Sequence, residues 1–426
     1  MDATAPDLAA GGSQEIMPGW QKRVAIFLTG QTISTFGSFL VQYAILWHLT
    51  LTTKSGGVLA LAAIFGFLPQ AIVSVFAGVW ADRVNRKVMI MIADSMIALT
   101  TLLLALLMLS GIDDLWLIFA VMAARSIGAG FQMPAISALI PQIVPTDQLM
   151  RINGINSSIQ SSLSLLAPVV AAGVYATMSL TAILFIDVVT AVIGVLLLAS
   201  IAVPTLQRVS SDEKPSYFGD LRDGVKYIFS HDLVRWVMVI FGLVFLLIVA
   251  PSNLSPLMVV RTFGSEVWML TVLELAFGVG MVLGGILMAS IGVKADRIKM
   301  IIGSSILFGV LAVGLGFTTN LILYYVLFFI VGLAVPAFST SAMTLLQETV
   351  EPERQGRVFG FVGIVMSVAM PLGMAVLGPL ADIVSVELLL IVTGAATVVI
   401  AVAAISLPAG RRAMAAAHSS TGQKTS

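Results

Sequence analysis

Four ionisable side chains interrupt stretches of sequence that are otherwise apolar: Asp94, Arg125, Asp187 and Glu274. Such groups are costly inside a hydrocarbon layer, and each is therefore a functional hypothesis. A carboxyl group that takes up a proton on one face of a membrane and releases it on the other couples proton movement to whatever else the protein carries. A neighbouring cation helps to decide when that carboxyl group holds its proton. Arg125 reads as that cation, and Glu274 or Asp187 as the proton carrier. Asp94 reads as a gating or structural acid within reach of the long arginine stem. Polar neutral groups add a second signal. Gln31, Ser38 and Gln42 fall close to one face of a helix, and with Gln132 and Gln160 they are candidate linings of a substrate cavity. Polar packing between helices is an equally good reading of the same residues. The chain has 21 methionines and 22 phenylalanines, and a flexible methionine-lined pocket tolerates varied ligands.

Other chemistries find no support. There is no cysteine. His48, His231 and His418 lie far apart and have no metal-ligand spacing. His48, near the outer end of an apolar stretch, reads as an interfacial residue. No nucleophile–histidine–acid set and no phosphate-binding loop is present. Neither an enzyme, a bound metal, a cofactor nor a nucleic-acid partner is expected, and ATP-driven activity would require another subunit.

The elements that must position these groups follow from composition. Apolar residues make up 58% of the 426 and charged residues only 10%, whereas soluble domains carry roughly 25% charged residues. About 20 apolar residues cross a bilayer as a helix. Stretches that meet this test run over 24–49, 57–80, 88–110, 115–140, 152–177, 180–203, 234–259, 267–291, 298–317, 319–347, 357–383 and 385–407. Twelve such stretches predict an all-α membrane protein. With the N-terminus inside, 19 of the 22 Lys and Arg residues fall on the cytoplasmic side, only Lys54 and Arg261 fall outside, and Arg125 is embedded. This asymmetry supports both the span count and the orientation.

The longest polar interruption, 204–233, divides the chain into halves at 24–203 and 234–407, flanked by cytoplasmic tails at 1–23 and 408–426. The N-terminal stretch lacks the basic start and short apolar run of a secretory signal. Within the linker, a short amphipathic helix is expected around Phe218–Phe229. Weak echoes relate the halves. Pro134-Ala-Ile-Ser137 parallels Pro336-Ala-Phe-Ser339, Arg151-Ile-Asn-Gly154 parallels Arg357-Val-Phe-Gly360, and Pro168 parallels Pro371. Paired six-helix repeats place a substrate site between them near mid-membrane.

Between the second and third spans lies Gly78-Val-Trp-Ala-Asp82-Arg83-Val-Asn-Arg86-Lys87. Gly78 suits close helix approach. Asp82 and Arg83, at a helix end, suit a contact that holds in one conformation and breaks in another. A basic loop serving only topology would account for Arg86 and Lys87 but not for the Gly-to-Asp spacing. This segment resembles the cytoplasmic loop signature of the major facilitator superfamily. With Phe67-Leu-Pro69, Arg125-Ser-Ile-Gly128 and Gly356-Arg-Val-Phe359, the chain resembles the drug-exporter branch that contains macrolide-efflux and enterobactin-exporter proteins. The resemblance implies the major facilitator fold, twelve transmembrane helices in two six-helix halves. It also implies proton-coupled export of small amphipathic molecules, drug-, macrolide- or siderophore-like, by alternating access in a monomer set in the lipid of a bacterial inner membrane. A second loop copy, Gly292-Val-Lys-Ala-Asp296-Arg297, is degenerate, and Ala167-Pro168 carries alanine where the antiporter Gly-Pro motif has glycine. A lysophospholipid flippase of the same superfamily is the alternative transporter, and a membrane-embedded sensor or enzyme is the reading from another class.

Overall fold

The computed structural model describes residues 19–81, 84–203, 225–291 and 296–406. Among these, twelve helices are long and apolar enough to span a membrane. They are α1 (Trp20–Thr53), α2 (Gly56–Ala81), α3 (Arg86–Leu109), α4 (Leu115–Ile143), α5 (Leu149–Thr177) and α6 (Leu180–Ser200). The second set is α7 (Asp232–Thr262), α8 (Val267–Ile291), α9 (Arg297–Phe317), α10 (Leu321–Thr349), α11 (Pro352–Ile383) and α12 (Val386–Ser406). The twelve expected spans correspond one to one with these helices. Residues 225–230 are helical, which is the described end of the amphipathic segment expected in the linker. The two tails lie largely outside the described residues, as do Asp82, Arg83 and most of the linker.

Helix is the only secondary structure that satisfies its own backbone in lipid without closing a barrel. Several helices begin where a short polar side chain takes a free N–H. Asn85 accepts from Val88, Ser179 from Ala182, Asp296 from Ile298 and Lys299, and Asn320 from Leu323. Prolines lie inside α2, α4, α5, α10 and α11. In the turn after Pro69 the Gln70 N–H donates instead to Ser126 Oγ on α4, at 2.9 Å. α7 is α-helical to Leu247 and again from Ser255, with a π-helical turn at Ala250–Leu254 between. π-Helical turns are frequent at functional sites, and this one faces the cavity described below.

The two halves share one packing plan. α1 lies against α5 and α6, α2 against α4, and α3 against α4 and α6; α7–α12 repeat the same pairings in order. Lipid gives little hydrophobic drive between helices, so close packing and polar contacts hold them. In the second half Tyr324 Oη donates to Ser255 Oγ (2.8 Å) and Trp236 Nε1 to Ala404 O (2.8 Å), tying α7 to α10 and α12. α8 and α10 touch backbone to backbone at Gly332, where a Cβ would stand 2.3 Å from Phe277 O. Gly332→Ala is therefore expected to destabilise the helix pair by about 1–3 kcal/mol, read as a fall in melting temperature of the detergent-solubilised protein; an unchanged melting temperature would count against this contact. Large apolar residues such as Leu99, Leu196 and Ile322 are exposed on the outer surface, where lipid covers them.

The halves meet through α2 with α11 and α5 with α8. Hydrogen bonds that Asp382 accepts from Ser55, Gly56 and Gly57, and that Arg261 donates to the Lys54 carbonyl, join the halves at the end where α1 runs out and α2 begins. At the other end α5 presents Asn153, Ser157, Ser161 and Ser164 as exposed residues and Asn156 as a half-buried one. Amides and hydroxyls on several faces of one helix call for water, so this end is the open one.

A polar cavity between the halves

A cavity of about 310 Å³ lies between the halves. Its first-half wall includes Ser38, Gln42 and Tyr43 from α1, Phe67 and Gln70 from α2, Met122, Arg125, Ser126 and Gln132 from α4; its second-half wall includes Ser252 and Asn253 from the π turn of α7, Glu274 from α8, and Met370 and Met374 from α11. Three of the five expected cavity residues, Ser38, Gln42 and Gln132, are in this lining. Gln31 and Gln160 are not. Gln31 is buried one layer back and reaches Asp94, because Ser38 lies two turns further along the same stripe of α1, at the level of Asp187. Gln160 sits on the polar half of α5, outside the cavity. Gln70, Ser252, Asn253 and Tyr43 went unmarked in the sequence, where single polar residues in apolar runs give no sign of which face they share.

Behind the first-half wall lie two buried acids with different partners. Asp187 is fully buried and forms an ion pair with Arg125. Ser38 Oγ donates to its Oδ1 at 3.2 Å, and Thr101 Oγ1 stands 3.2 Å from its Oδ2. Arg125 also contacts Thr101 Oγ1, and its Nη2 donates to the Ser38 carbonyl at 3.3 Å. Asp94 is 1% exposed and meets neutral groups: Ser34 Oγ at 3.2 Å, Gln31 Nε2 at 3.5 Å, and the Gln132 amide. The expected reach of Arg125 to Asp94 does not occur. The guanidinium turns toward α6, where Thr101 and the Ser38 carbonyl complete its hydrogen bonds. Gln132 touches both Asp94 and the cavity, and so links the buried acid to the lining.

Glu274 differs from both. It faces the cavity from the second half and makes no hydrogen bond or ion pair among the described residues. With Arg125 already matched by Asp187, the lining carries one surplus acidic group, set among amides, hydroxyls and methionines.

The loop motif divides in two. Arg86 Nη1 donates to Ala138 O at 2.9 Å, and Lys87 Nζ to Ala199 O and Ile201 O at 2.8 and 2.7 Å. Both cations sit on carbonyls at the ends of α4 and α6, where the helix dipole favours them, and they brace the first half. Arg297, at the start of α9, pairs instead with the Glu348 carboxylate of α10 at 3.5 Å. Asp82 and Arg83 lie outside the described residues, as does the side of α2 at Gly78. His48 Nδ1 stands 3.2 Å from Tyr175 Oη, tying α1 to α5.

Residues 15–424 match the family described as transmembrane secretion effector. Macrolide efflux protein A of Streptococcus pyogenes is 32% identical over 387 residues, 90% of this chain and 95% of that protein. The protein of the same name in Enterococcus faecalis is 32% identical over 316 residues, 73% of this chain and 97% of that one. An uncharacterised major facilitator type transporter of Bacillus subtilis, YvqJ, is 23% identical over 368 residues, 84% of this chain and 86% of that one. Among solved structures, the nucleoside transporter NupG superposes with a TM-score of 0.68 at 15% identity, covering 90% of this chain and 98% of that one. A bacterial homologue of the lysosomal transporter Spinster, solved inward-facing and unoccupied, gives 0.67 at 15% identity, covering 92% and 96%. These two establish the shared fold. The chain is a multi-pass membrane transporter rather than an enzyme, and it belongs to the transmembrane secretion effector family of the major facilitator type.

Proposed function

We propose that the protein is a secondary exporter of amphipathic organic molecules bearing a basic amine, macrolide-like compounds among them, and that it exchanges them for protons across a bacterial plasma membrane. Glu274 carries this reading: an acid that faces the cavity without a partner can hold either a proton or the ammonium group of a ligand, and the two then compete for one site. Arg125 and Asp187 neutralise each other across the first-half wall, which leaves the second-half carboxyl as the group free to exchange. The methionines and amides around it suit ligands of varied shape. The 32% identity to macrolide efflux proteins supports the substrate class. The distribution of Lys and Arg supports cytoplasmic N- and C-termini, an orientation in which the open end of the cavity faces the cytoplasm, from which an exporter loads.

The test is efflux of a dye and macrolide panel from cells expressing the protein, with and without a protonophore. Export of basic amphipaths that stops when the proton gradient collapses is the expected result. Export that continues after collapse would overturn proton coupling. Movement of lysophospholipids in place of every panel member would replace the drug reading with a flippase.

A further inference from the structure

Asp382 lies in the last turn of α11 and reaches across the interface to the start of α2. Its Oδ1 accepts from the Gly56 N–H at 2.7 Å, and its Oδ2 from the Gly57 N–H and Ser55 Oγ, both at 2.8 Å. Arg261, at the end of α7, donates to Asp382 Oδ1 at 2.8 Å and to the Lys54 carbonyl at 2.6 and 2.9 Å, with a further bond to the Ala381 carbonyl. One carboxylate of the second half therefore occupies the N-terminus of a first-half helix, where free N–H groups and the helix dipole favour an anion. One turn earlier, Gly378 lets the two backbones touch, since a Cβ there would stand 2.5 Å from Gly56 O. Lys54 and Arg261 are the two basic residues that the orientation leaves outside, and both are tied into this contact.

The local sequence gives the contact a wider meaning. Gly378-Pro-Leu-Ala-Asp382 repeats the spacing of Gly78-Val-Trp-Ala-Asp82, which ends the same α2 whose beginning Asp382 caps. The spacing occurs again at Gly173-Val-Tyr-Ala-Thr177, where α5 ends and threonine replaces the acid, and at Gly292-Val-Lys-Ala-Asp296, after α8. Four copies at or just past the ends of α2, α5, α8 and α11 fit six-helix halves that each contain two inverted three-helix repeats. Under that symmetry the inner end of α2 corresponds to the outer end of α11.

We propose that Gly378, Asp382 and Arg261 form a clasp that holds the transporter shut on the face opposite the basic loops, and that release of Asp382 from the α2 N-terminus opens that face to discharge the cargo. The proposal rests on the alternating-access reading above, but not on the identity of the cargo or the coupling ion.

The chain has no cysteine, so a single introduced thiol reports alone. Ser252→Cys places one of nearly unchanged size on the cavity wall. A membrane-impermeant maleimide is applied to intact cells and, separately, to inverted membrane vesicles, without substrate, so that failure of the drug-export reading leaves the measurement intact. The expected result is slow labelling of Ser252→Cys from outside, rising about tenfold or more with Asp382→Asn and with Arg261→Gln, the factor that loss of a charge-assisted hydrogen bond implies. Labelling in inverted vesicles should fall in the same variants, because one population grows at the expense of the other. A rise in inverted vesicles with a fall in intact cells would support the clasp and reverse the orientation. Unchanged labelling in both variants, or faster labelling from both faces, would overturn the clasp as a gate.

Discussion

Glu274→Gln is expected to abolish substrate-driven proton movement and to weaken binding of basic amphipaths by roughly 10- to 100-fold, the range spanned by one hydrogen bond to a charged group. The measurement is proton flux in inverted vesicles on addition of substrate, paired with equilibrium binding to the purified protein. The pairing matters because the two effects separate two roles. A residue that only bound cargo would weaken affinity and still let saturating substrate move protons. A residue that only carried protons would lose flux and keep affinity. One carboxyl serving both makes the losses coincide, and makes affinity for basic ligands fall when the wild-type site is protonated. An uncharged ligand of similar size should bind Glu274→Gln as well as it binds the wild type. Proton movement that survives Glu274→Gln and disappears in Asp187→Asn would move the carrier to the first half.

The twelve-helix architecture was readable in the sequence because each crossing needs a long apolar run, and because the cations marked which ends share a side. The spans at 267–291 and 298–317 matched α8 and α9 to within a residue. α1 and α7 run several residues beyond their expected stretches, since a helix continues past the hydrocarbon layer wherever the backbone is still satisfied. Pairing between distant helices was not readable. Arg125 and Asp187 are separated by 62 positions, and nothing local distinguishes that partner from Asp94, which lies nearer in sequence. The stripe of α1 identified the correct face but not the depth, so Gln31 and Ser38 looked equivalent although they serve different acids. Asp382 was missed for another reason. It falls at the end of an apolar run, where a single acid reads as the edge of a span, and its role depends on helix ends brought together from opposite halves.

The pair formed by Arg125 and Asp187 carries the second large effect, because Asp187 is fully buried and Arg125 nearly so. Removing one member leaves the other as an uncompensated charge, which costs about 3–5 kcal/mol, while replacing both with apolar groups of similar volume is close to neutral. Arg125→Met and Asp187→Asn should therefore each lower the melting temperature of the purified protein sharply, and Arg125→Met/Asp187→Leu should recover most of the loss. Transport then separates structure from mechanism. If the pair only braces α4 against α6, efflux returns together with stability in the double variant. If Arg125 moves between Asp187 and the cavity during the cycle, the double variant is stable and still inactive, because the cavity has lost the cation that, among the described lining residues, can answer a change of charge at Glu274. The position of Arg125 favours the second outcome: its side chain reaches the cavity wall on one side and the buried acid on the other, whereas a brace between two helices needs no access to the cargo.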